Sequence, residues 1–312
     1  MVPAAEFTSY YGRPVLKEPV WEADIAAYLF LGGLAGASSV LAAAAELRGS
    51  PDLSRAAKVG AAGAIGLSAA ALVHDLGRPS RFANMLRVFK PSSPMSVGSW
   101  LLAAYGPAAG TAALSAVTGR LRRLGVAATA GSAVLGPLVS TYTAALICDT
   151  AIPAWHDGYR EMPYLFAGSA ATAAGGLGLV AAPLQQSRPA RRLAAIGAAA
   201  ELTAAQLLTR RLGMTGEPYR SGRAGTALRV SERLTAFGLA GALLGRRSRA
   251  ISALSGAALL AASAVSRFAI FDAGRVSARD PRYTIVPQRE RIAAARGGAG
   301  GGMTPGDPAP QA

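Results

Sequence analysis

Long apolar stretches recur along this chain, each close to the length that a membrane-crossing helix needs. A helix that spans the hydrocarbon core of a bilayer takes roughly 20 predominantly apolar residues. The stretches lie at residues 24–45, 57–74, 99–118, 125–148, 164–184, 193–209, 228–245 and 250–271. The seventh is the weakest, because Glu232 and Arg233 must lie at the interface for it to span. The pattern predicts an all-α integral membrane protein with eight transmembrane helices and both termini on one side.

Composition agrees with a membrane protein and excludes several other classes. The chain is 51% apolar and only 16% charged, yet 32 Lys and Arg stand against 17 Asp and Glu. Such low charge density excludes a disordered chain and argues against a soluble nucleic-acid binder. The single cysteine, Cys148, excludes a disulfide framework, a thiolate zinc site and an iron–sulfur cluster held by this chain alone. The first 21 residues lack the apolar segment of a cleavable signal peptide.

Side chains capable of chemistry gather on one side of the predicted topology. Side A holds the N-terminus, the loops near 75–98, 149–163 and 210–232, and the tail from Gly274, whereas the side B loops at 46–56, 119–124, 185–192 and 246–249 are short. All Trp, Tyr, Phe and His residues and most acids fall in the side A half. Because an aromatic belt alone would form at both interfaces, side A is expected to carry a binding site, a docking surface or both. The dense arginines of the short side B loops favour the cytoplasm for side B.

Two polar groups at the side A ends of the spans are candidates for proton transfer. His74 and Asp75 close the second span, where such a pair can pass a proton. Tyr142 and Asp149 are two helical turns apart and face the same way at the end of the fourth span. The alternative for each group is local: helix-end residues satisfied by backbone, and an aspartate that caps a loop.

Two arginines, Arg78 and Arg81, follow the His74–Asp75 pair in the next loop. Guanidinium groups bind carboxylates in two-pronged fashion, so these two are candidates to hold a carboxylate or to dock an acidic partner. They are equally compatible with interfacial anchoring.

Several motifs carry a resemblance to the NrfD/PsrC family, the polysulfide reductase-type membrane subunits. The resemblance covers most of the chain, and its most specific part is the Asp75–Pro79 turn together with the segment that ends at Trp100. The matching stretches are Tyr28-Leu29-Phe30-Leu31-Gly32-Gly33, Asp75-Leu76-Gly77-Arg78-Pro79, Ser93-Pro94-Met95-Ser96-Val97-Gly98-Ser99-Trp100, Tyr142-Thr143 through Pro153-Ala154-Trp155, and Asp280 through Gln288.

This resemblance implies a fold and a site. It implies two four-helix bundles, here residues 24–148 and 164–273, joined by a loop at 149–163 and flanked by an N-terminal segment, 1–23, and a tail, 274–312, whose end is predicted to be disordered. It also implies a site for quinone or quinol near the face that docks a four-cluster, ferredoxin-like iron–sulfur subunit, which in turn serves a molybdopterin catalytic subunit. The family's quinone-contacting tyrosine maps to Tyr142, and the polar site of its first span maps to Asp24 and Tyr28. Ala144 stands where the family commonly has glycine after Tyr-Thr.

The resulting hypothesis is a quinone-reactive membrane anchor of an oxidoreductase in the plasma membrane, used in anaerobic respiration. Quinone reduction takes two electrons and two protons. The quinone, menaquinone or ubiquinone, is expected to contact Asp24, Tyr28, His74 and Tyr142. No haem is expected, because His156 lies in a loop and cannot face His74 inside a bundle.

Protons are expected to pass through His74, Asp75 and Asp149, and Glu201 in the sixth span is a candidate to extend that route across the membrane. The alternative for Glu201 is an isolated acid that is protonated or paired with a neighbouring helix. The residues expected to dock the partner are Arg78, Arg81, Trp100 and Trp155. Two other functions remain open at this point: a structural anchor without a quinone site, and a secondary transporter.

Overall fold

The computed structural model describes residues 15–19, 21–78 and 80–300 of the chain. Within these residues the fold is entirely helical, and the predicted all-α membrane class is confirmed. Most of the predicted N-terminal segment and the end of the tail, predicted to be disordered, lie outside the described residues.

Eight helices of 20 to 31 residues form the body of the molecule, and each covers most of one predicted apolar stretch. They are α1 (Ala23–Leu47), α2 (Pro51–Asp75), α4 (Pro94–Thr118), α5 (Arg122–Cys148), α7 (Met162–Ala181), α8 (Arg188–Arg211), α10 (Gly222–Leu244) and α11 (Arg249–Arg279). The shorter helices are α3 (Ser80–Met85), α6 (Pro153–His156), α9 (Glu217–Arg220) and α12 (Arg282–Gly300).

Six of the long helices are apolar enough to cross a membrane, which makes the chain a multi-pass membrane protein. The other two, α8 and α10, carry more charge. In α8 the arginines lie in the first and last turns, where long side chains can reach water. In α10 the charges occupy the half nearest side A, while Ala224, Gly225 and Ser231 face the protein interior.

The long helices pack as two groups that meet along α1 and α7. In the first group α1 contacts α2 and α5, and α4 contacts α2 and α5; in the second, α7 contacts α8 and α11, and α10 contacts α8 and α11. Glycines permit the closest approaches, since a Cβ at Gly36 would overlap the backbone at Gly136 and a Cβ at Gly176 would overlap the backbone at Gly256. This is the contact that small residues provide where lipid removes the hydrophobic gain of helix association.

Three boundaries differ from the expectation. The loop predicted at 210–232 is shorter, because α10 begins at Gly222, and Phe237 therefore lies nearer the side B end of its helix than predicted. The tail does not start at Gly274, because α11 continues to Arg279. Gly274 is needed inside the helix, since a Cβ there would overlap the Trp155 indole. The chain then enters a further helix, α12, within the segment that was predicted to be a tail.

The side A connections interlock above the helices. Trp155 of α6 stacks on Trp21 with ring centroids 6.0 Å apart, and the Tyr219 hydroxyl donates to the Ala154 carbonyl at 2.9 Å. Glu18 accepts hydrogen bonds from Arg275 and Arg279 of α11, and these bonds lower the pKa of its carboxyl. Side A is therefore an ordered layer that holds the helix ends in place.

Candidate functional site

A pocket opens at the side A end of the first helix group. Its volume is about 80 Å³, and α1, α2, α4 and α5 converge on it. The lining is apolar and aromatic with a few polar groups. It consists of Trp21, Ile25, Tyr28, Leu72, Asp75, Leu76, Met85, Met95, Ser99, Leu102, Tyr142 and Leu146. A mostly apolar cleft with a small number of polar groups is the usual form of a small-molecule site.

Tyr142 is the polar group of this pocket that lacks a partner. Its hydroxyl is buried and makes no hydrogen bond within the protein. The ring packs directly against Gly98 of α4, where an added Cβ would overlap the ring carbons. A buried hydroxyl left unpaired costs about 1–3 kcal/mol, so a ligand that offers an acceptor here would recover that loss.

Asp75, the last residue of α2, brings a carboxyl to the same pocket. The preceding residue, His74, forms an ion pair with Asp24 of α1. His74 Nδ1 lies 2.6 Å from Asp24 Oδ2. The His74 side chain is 82% exposed on side A and does not line the pocket, whereas Asp75, the next residue, does. The end of α2 therefore places one titratable group in water and one in the pocket, with Asp24 beside them.

Tyr28 completes the polar lining from α1. The side chain is buried, and Ser68 of α2 donates to the Tyr28 carbonyl at 3.1 Å, which ties the two helices together at this level. Of the four residues predicted to bind quinone, Tyr28 and Tyr142 line the pocket, and Asp24 and His74 lie just outside it.

The family model described as polysulphide reductase, NrfD, matches residues 15–215, which is more than half of the chain's 312 residues. The chain belongs to the NrfD family. It is accordingly a membrane subunit of a respiratory oxidoreductase complex. A comparison with curated proteins finds no match. All twelve residues of the pocket lie within the part of the chain that matches the NrfD family, whereas α10 and α11 lie beyond it.

The other residues expected to transfer protons are not part of this pocket. Asp149 follows the last residue of α5 and is exposed. Its amide donates to the Ala145 carbonyl, as expected for a residue that ends a helix. Glu201 is buried in α8, within the second helix group.

The predicted docking residues divide into exposed and buried ones. Arg78, Arg81 and Trp100 are exposed on side A, with Arg81 Nη1 donating to the Leu76 carbonyl at 3.2 Å. Trp100 is 43% exposed and packs edge-on against Phe89. For Trp155 the docking prediction is wrong, because its indole is fully buried, stacks between Trp21 and Phe271, and donates to the Ile270 carbonyl at 2.8 Å.

Several residues of the site were not predicted, and the sequence held a signal for most of them. Met95, Gly98 and Ser99 belong to the motif that ends at Trp100, and Trp21 lies shortly before the motif that begins at Tyr28. Membership of a motif, or closeness to one, does not by itself place these residues at the same pocket. Met85 lies on the short helix α3 and carries no sequence signal.

A second polar centre lies deep in the other helix group. Arg267 of α11 is 1% exposed, donates to the Phe166 carbonyl at 2.7 Å and places its guanidinium carbon 3.7 Å from the centre of the Phe166 ring. Glu201 is 5% exposed and is attracted by Arg267. Glu201 Oε2 and Arg267 Nε and Nη1 have no hydrogen-bond partner.

Proposed function

We propose that this NrfD subunit exchanges electrons between a partner iron–sulfur subunit and quinone in the plasma membrane, at the pocket that contains Tyr142. In this proposal all eight long helices span the membrane as two four-helix bundles. The four-cluster iron–sulfur subunit docks on side A and connects to a molybdopterin catalytic subunit. The pocket accepts menaquinone or ubiquinone.

The observation that carries the proposal is the unpaired Tyr142 hydroxyl in an apolar pocket. A quinone ring offers carbonyl acceptors and otherwise apolar surface, which matches an O–H donor among Leu, Met and Trp side chains. When bound, quinone supplies the two-electron, two-proton chemistry. Tyr142 would donate to one carbonyl oxygen and so fix the ring's position, with Tyr28 and Trp21 as its walls.

Protons would reach the pocket from side A through the end of α2. Asp75 is the carboxyl that lines the pocket, and His74, paired with Asp24, is in contact with water. Because the two residues are adjacent in the chain, a proton needs only a short transfer between bulk water and the site. The exposed Asp149 remains a second proposed entry point, and Glu201 a proposed extension toward the other side.

The pocket's size indicates that its walls move when a ring enters. A volume of about 80 Å³ is the space of roughly two to three water molecules, which is less than a substituted ring needs. Met85 and Met95 are the flexible side chains of the lining, and α3 carries one of them at the surface. We expect these two side chains to turn outward as the headgroup enters.

Arg78, Arg81 and Trp100 are exposed on side A and lie close in the chain to the lining residues Leu76 and Ser99. We propose that they contact the partner. Guanidinium groups on this face suit an acidic partner surface. The electrons would then pass between the partner's terminal cluster and the pocket.

The test is the Tyr142→Phe variant of the intact complex. Loss of one hydrogen bond to the ligand should lower quinol turnover about tenfold and leave the content of iron–sulfur subunit unchanged. Stability should not fall, because the hydroxyl has no partner within the protein.

Tyr105→Phe is the matched control. The Tyr105 hydroxyl is 2.7 Å from Ser39 Oγ in the core, so this variant should lose stability and keep its turnover. Normal turnover in Tyr142→Phe would reject the role of Tyr142. A wild-type complex that retains the iron–sulfur subunit but neither binds nor reacts with quinone would favour a structural anchor, and solute uptake by the chain alone would favour a transporter.

A further inference from the structure

Four arginines surround a second pocket at the opposite, side B end of the molecule. The pocket has a volume of about 420 Å³ and is lined by Arg188, Arg191, Arg192 and Arg246, with no acidic residue in its lining. Three of the arginines share one face of the first turn of α8, because residues three and four apart lie side by side on a helix. Arg246 reaches the pocket from the turn between α10 and α11.

No hydrogen bond or ion pair joins the side chains of these four arginines to the part of the chain that the structure describes. Arg191 Nε and Nη2 are buried and make no hydrogen bond, and the neighbouring Arg246 repels Arg191. Two like charges held together in this way are unfavourable unless an anion lies between them. The N-terminus of α8 adds its own positive potential at the same place.

The acids of side B are already engaged elsewhere. Glu46 pairs with Lys58 at 2.7 Å, and the Asp52 carboxylate accepts a hydrogen bond from Gln186 at 2.7 Å. Arg249, by contrast with the four arginines, is used in the fold, since it donates to the Leu179 and Val180 carbonyls at the end of α7. Within the described residues no side B acid is therefore left to neutralise the arginine pocket, which favours an anion from outside the chain.

The apolar residues that complete the pocket lining indicate which anion fits. Leu184, Ala195 and Leu243 supply apolar surface beside the guanidinium groups, and Leu243 is 53% exposed. A free phosphate ion would leave this surface unused, whereas a phospholipid has a phosphate and acyl chains in the same arrangement. Basic pockets between membrane helices are known to bind anionic headgroups.

We propose that this side B pocket binds the phosphate of an anionic phospholipid, with the acyl chains lying along Leu243 and Ala195. The site is separate from the Tyr142 pocket and does not depend on the function proposed for it. It would hold α8 and α10 together by bridging Arg191 and Arg246, which come from different parts of the second helix group.

The experiment is a lipid titration of the full-length protein in detergent micelles, followed by native mass spectrometry. The probes are dioleoyl phosphatidylglycerol, dioleoyl phosphatidylcholine with the same acyl chains, and inorganic phosphate. The wild-type protein should bind phosphatidylglycerol in preference to phosphatidylcholine, and inorganic phosphate should not displace it. Equal binding of the two lipids, or displacement by inorganic phosphate at similar concentration, would overturn the proposal without any variant.

The variants locate the site. Arg191→Ala with Arg246→Ala should weaken phosphatidylglycerol binding about 30-fold, the effect of two cationic side chains at the membrane surface. Arg122→Ala with Arg123→Ala removes the same charge from exposed positions on the same side and should leave binding nearly unchanged. Arg191→Lys with Arg246→Lys should retain most of the binding. Similar losses in both alanine pairs would show diffuse attraction and not a site.

Discussion

The two helix groups each contain buried polar atoms without partners, yet their surroundings differ. In the first group the Tyr142 hydroxyl lies beside a pocket. In the second group Glu201 and Arg267 are enclosed by closely packed helices, where a Cβ at Gly168 would overlap the backbone at Glu201 and one at Gly33 would lie 3.7 Å from Arg267 Nη2. An unpaired buried group thus indicates a ligand site only where there is room for the ligand.

The comparison also separates two uses of polarity in a membrane protein. Tyr142 is neutral, and its unpaired hydroxyl costs about 1–3 kcal/mol. Glu201 and Arg267 are ionisable and lie far from water, where an uncompensated charge costs more than an unpaired hydroxyl. Replacing single residues in each group should therefore give different kinds of damage.

Arg267→Met should have the largest effect on stability. It removes the cation that attracts the buried Glu201 and donates to the Phe166 carbonyl, and leaving a buried charge uncompensated costs about 3–5 kcal/mol. Thermal unfolding of the detergent-solubilised protein measures the loss. The double variant with Glu201→Leu should recover much of it, because no charge is then left uncompensated. An unchanged unfolding temperature in the single variant would mean that the pair does not stabilise the second group.

Gly98→Ala should have the next largest effect. It should lower quinol turnover, whereas Arg267→Met lowers stability. The added Cβ displaces the Tyr142 ring, and a shift of about 1 Å in a positioning contact can cost 10²-fold in rate. Quinol oxidation by the intact complex is the measurement.

Gly106→Ala is its control on the same helix, because a Cβ there meets nothing within 4 Å. It should leave turnover unchanged. Equal behaviour of the two variants would mean that the Tyr142 ring position does not matter.

Arg211→Gln tests the same charge chemistry at the surface, where the effect should be smallest. Arg211 Nε donates to Glu161 Oε1 at 2.6 Å, and this contact lowers the pKa of the Glu161 carboxyl. A carboxyl whose pKa is lowered by folding stabilises the fold at any pH above its pKa in the unfolded chain. That contribution disappears as the pH falls through the lowered pKa. The variant should therefore lose about 1 kcal/mol at pH 7, and the difference from wild type should shrink below about pH 4.

Arg210→Gln, at the exposed neighbouring position, is the matched control and should change stability little at any pH. The measurement is the unfolding temperature of each variant at on the order of five pH values between 3 and 8. A difference between wild type and Arg211→Gln that grows in acid would contradict the assigned direction.

The helices were largely predictable because lipid imposes a simple rule on the chain. Each span must be apolar over about 20 residues, and six of the eight long helices show this directly. Apolar content alone predicts a loop at the charged beginning of α10. Its helix forms all the same, since charged side chains can point outward from one face.

The small-residue spacings show where the same reasoning ends. Gly32–Gly36 and Gly106–Gly110 have identical spacing, yet only Gly36 meets a neighbouring backbone, while both glycines of the second pair face open space. Spacing places two glycines on one face of a helix, but it does not say which face meets another helix.

The residues of the candidate site also include some that the sequence predicts correctly and some that it does not. Tyr142 and Asp75 were predicted from motifs and the ends of spans, and both line the pocket. The gathering of aromatic residues on one side of the topology predicts a docking role for Trp155 on side A. Its burial depends on Gly274, more than a hundred residues later in the chain, whose missing side chain leaves space for the indole.

The sequence by itself determined the helical class, the membrane setting, the family motifs and the concentration of reactive side chains on side A. These properties depend on composition and on periodicity within single helices, which local physics decides. Only the tertiary structure decided that Tyr142 lies unpaired beside a pocket, that Trp155 is internal and that four arginines share a cavity on side B. Those outcomes depend on which helix faces meet, and that choice is made by the packing of residues far apart in the chain.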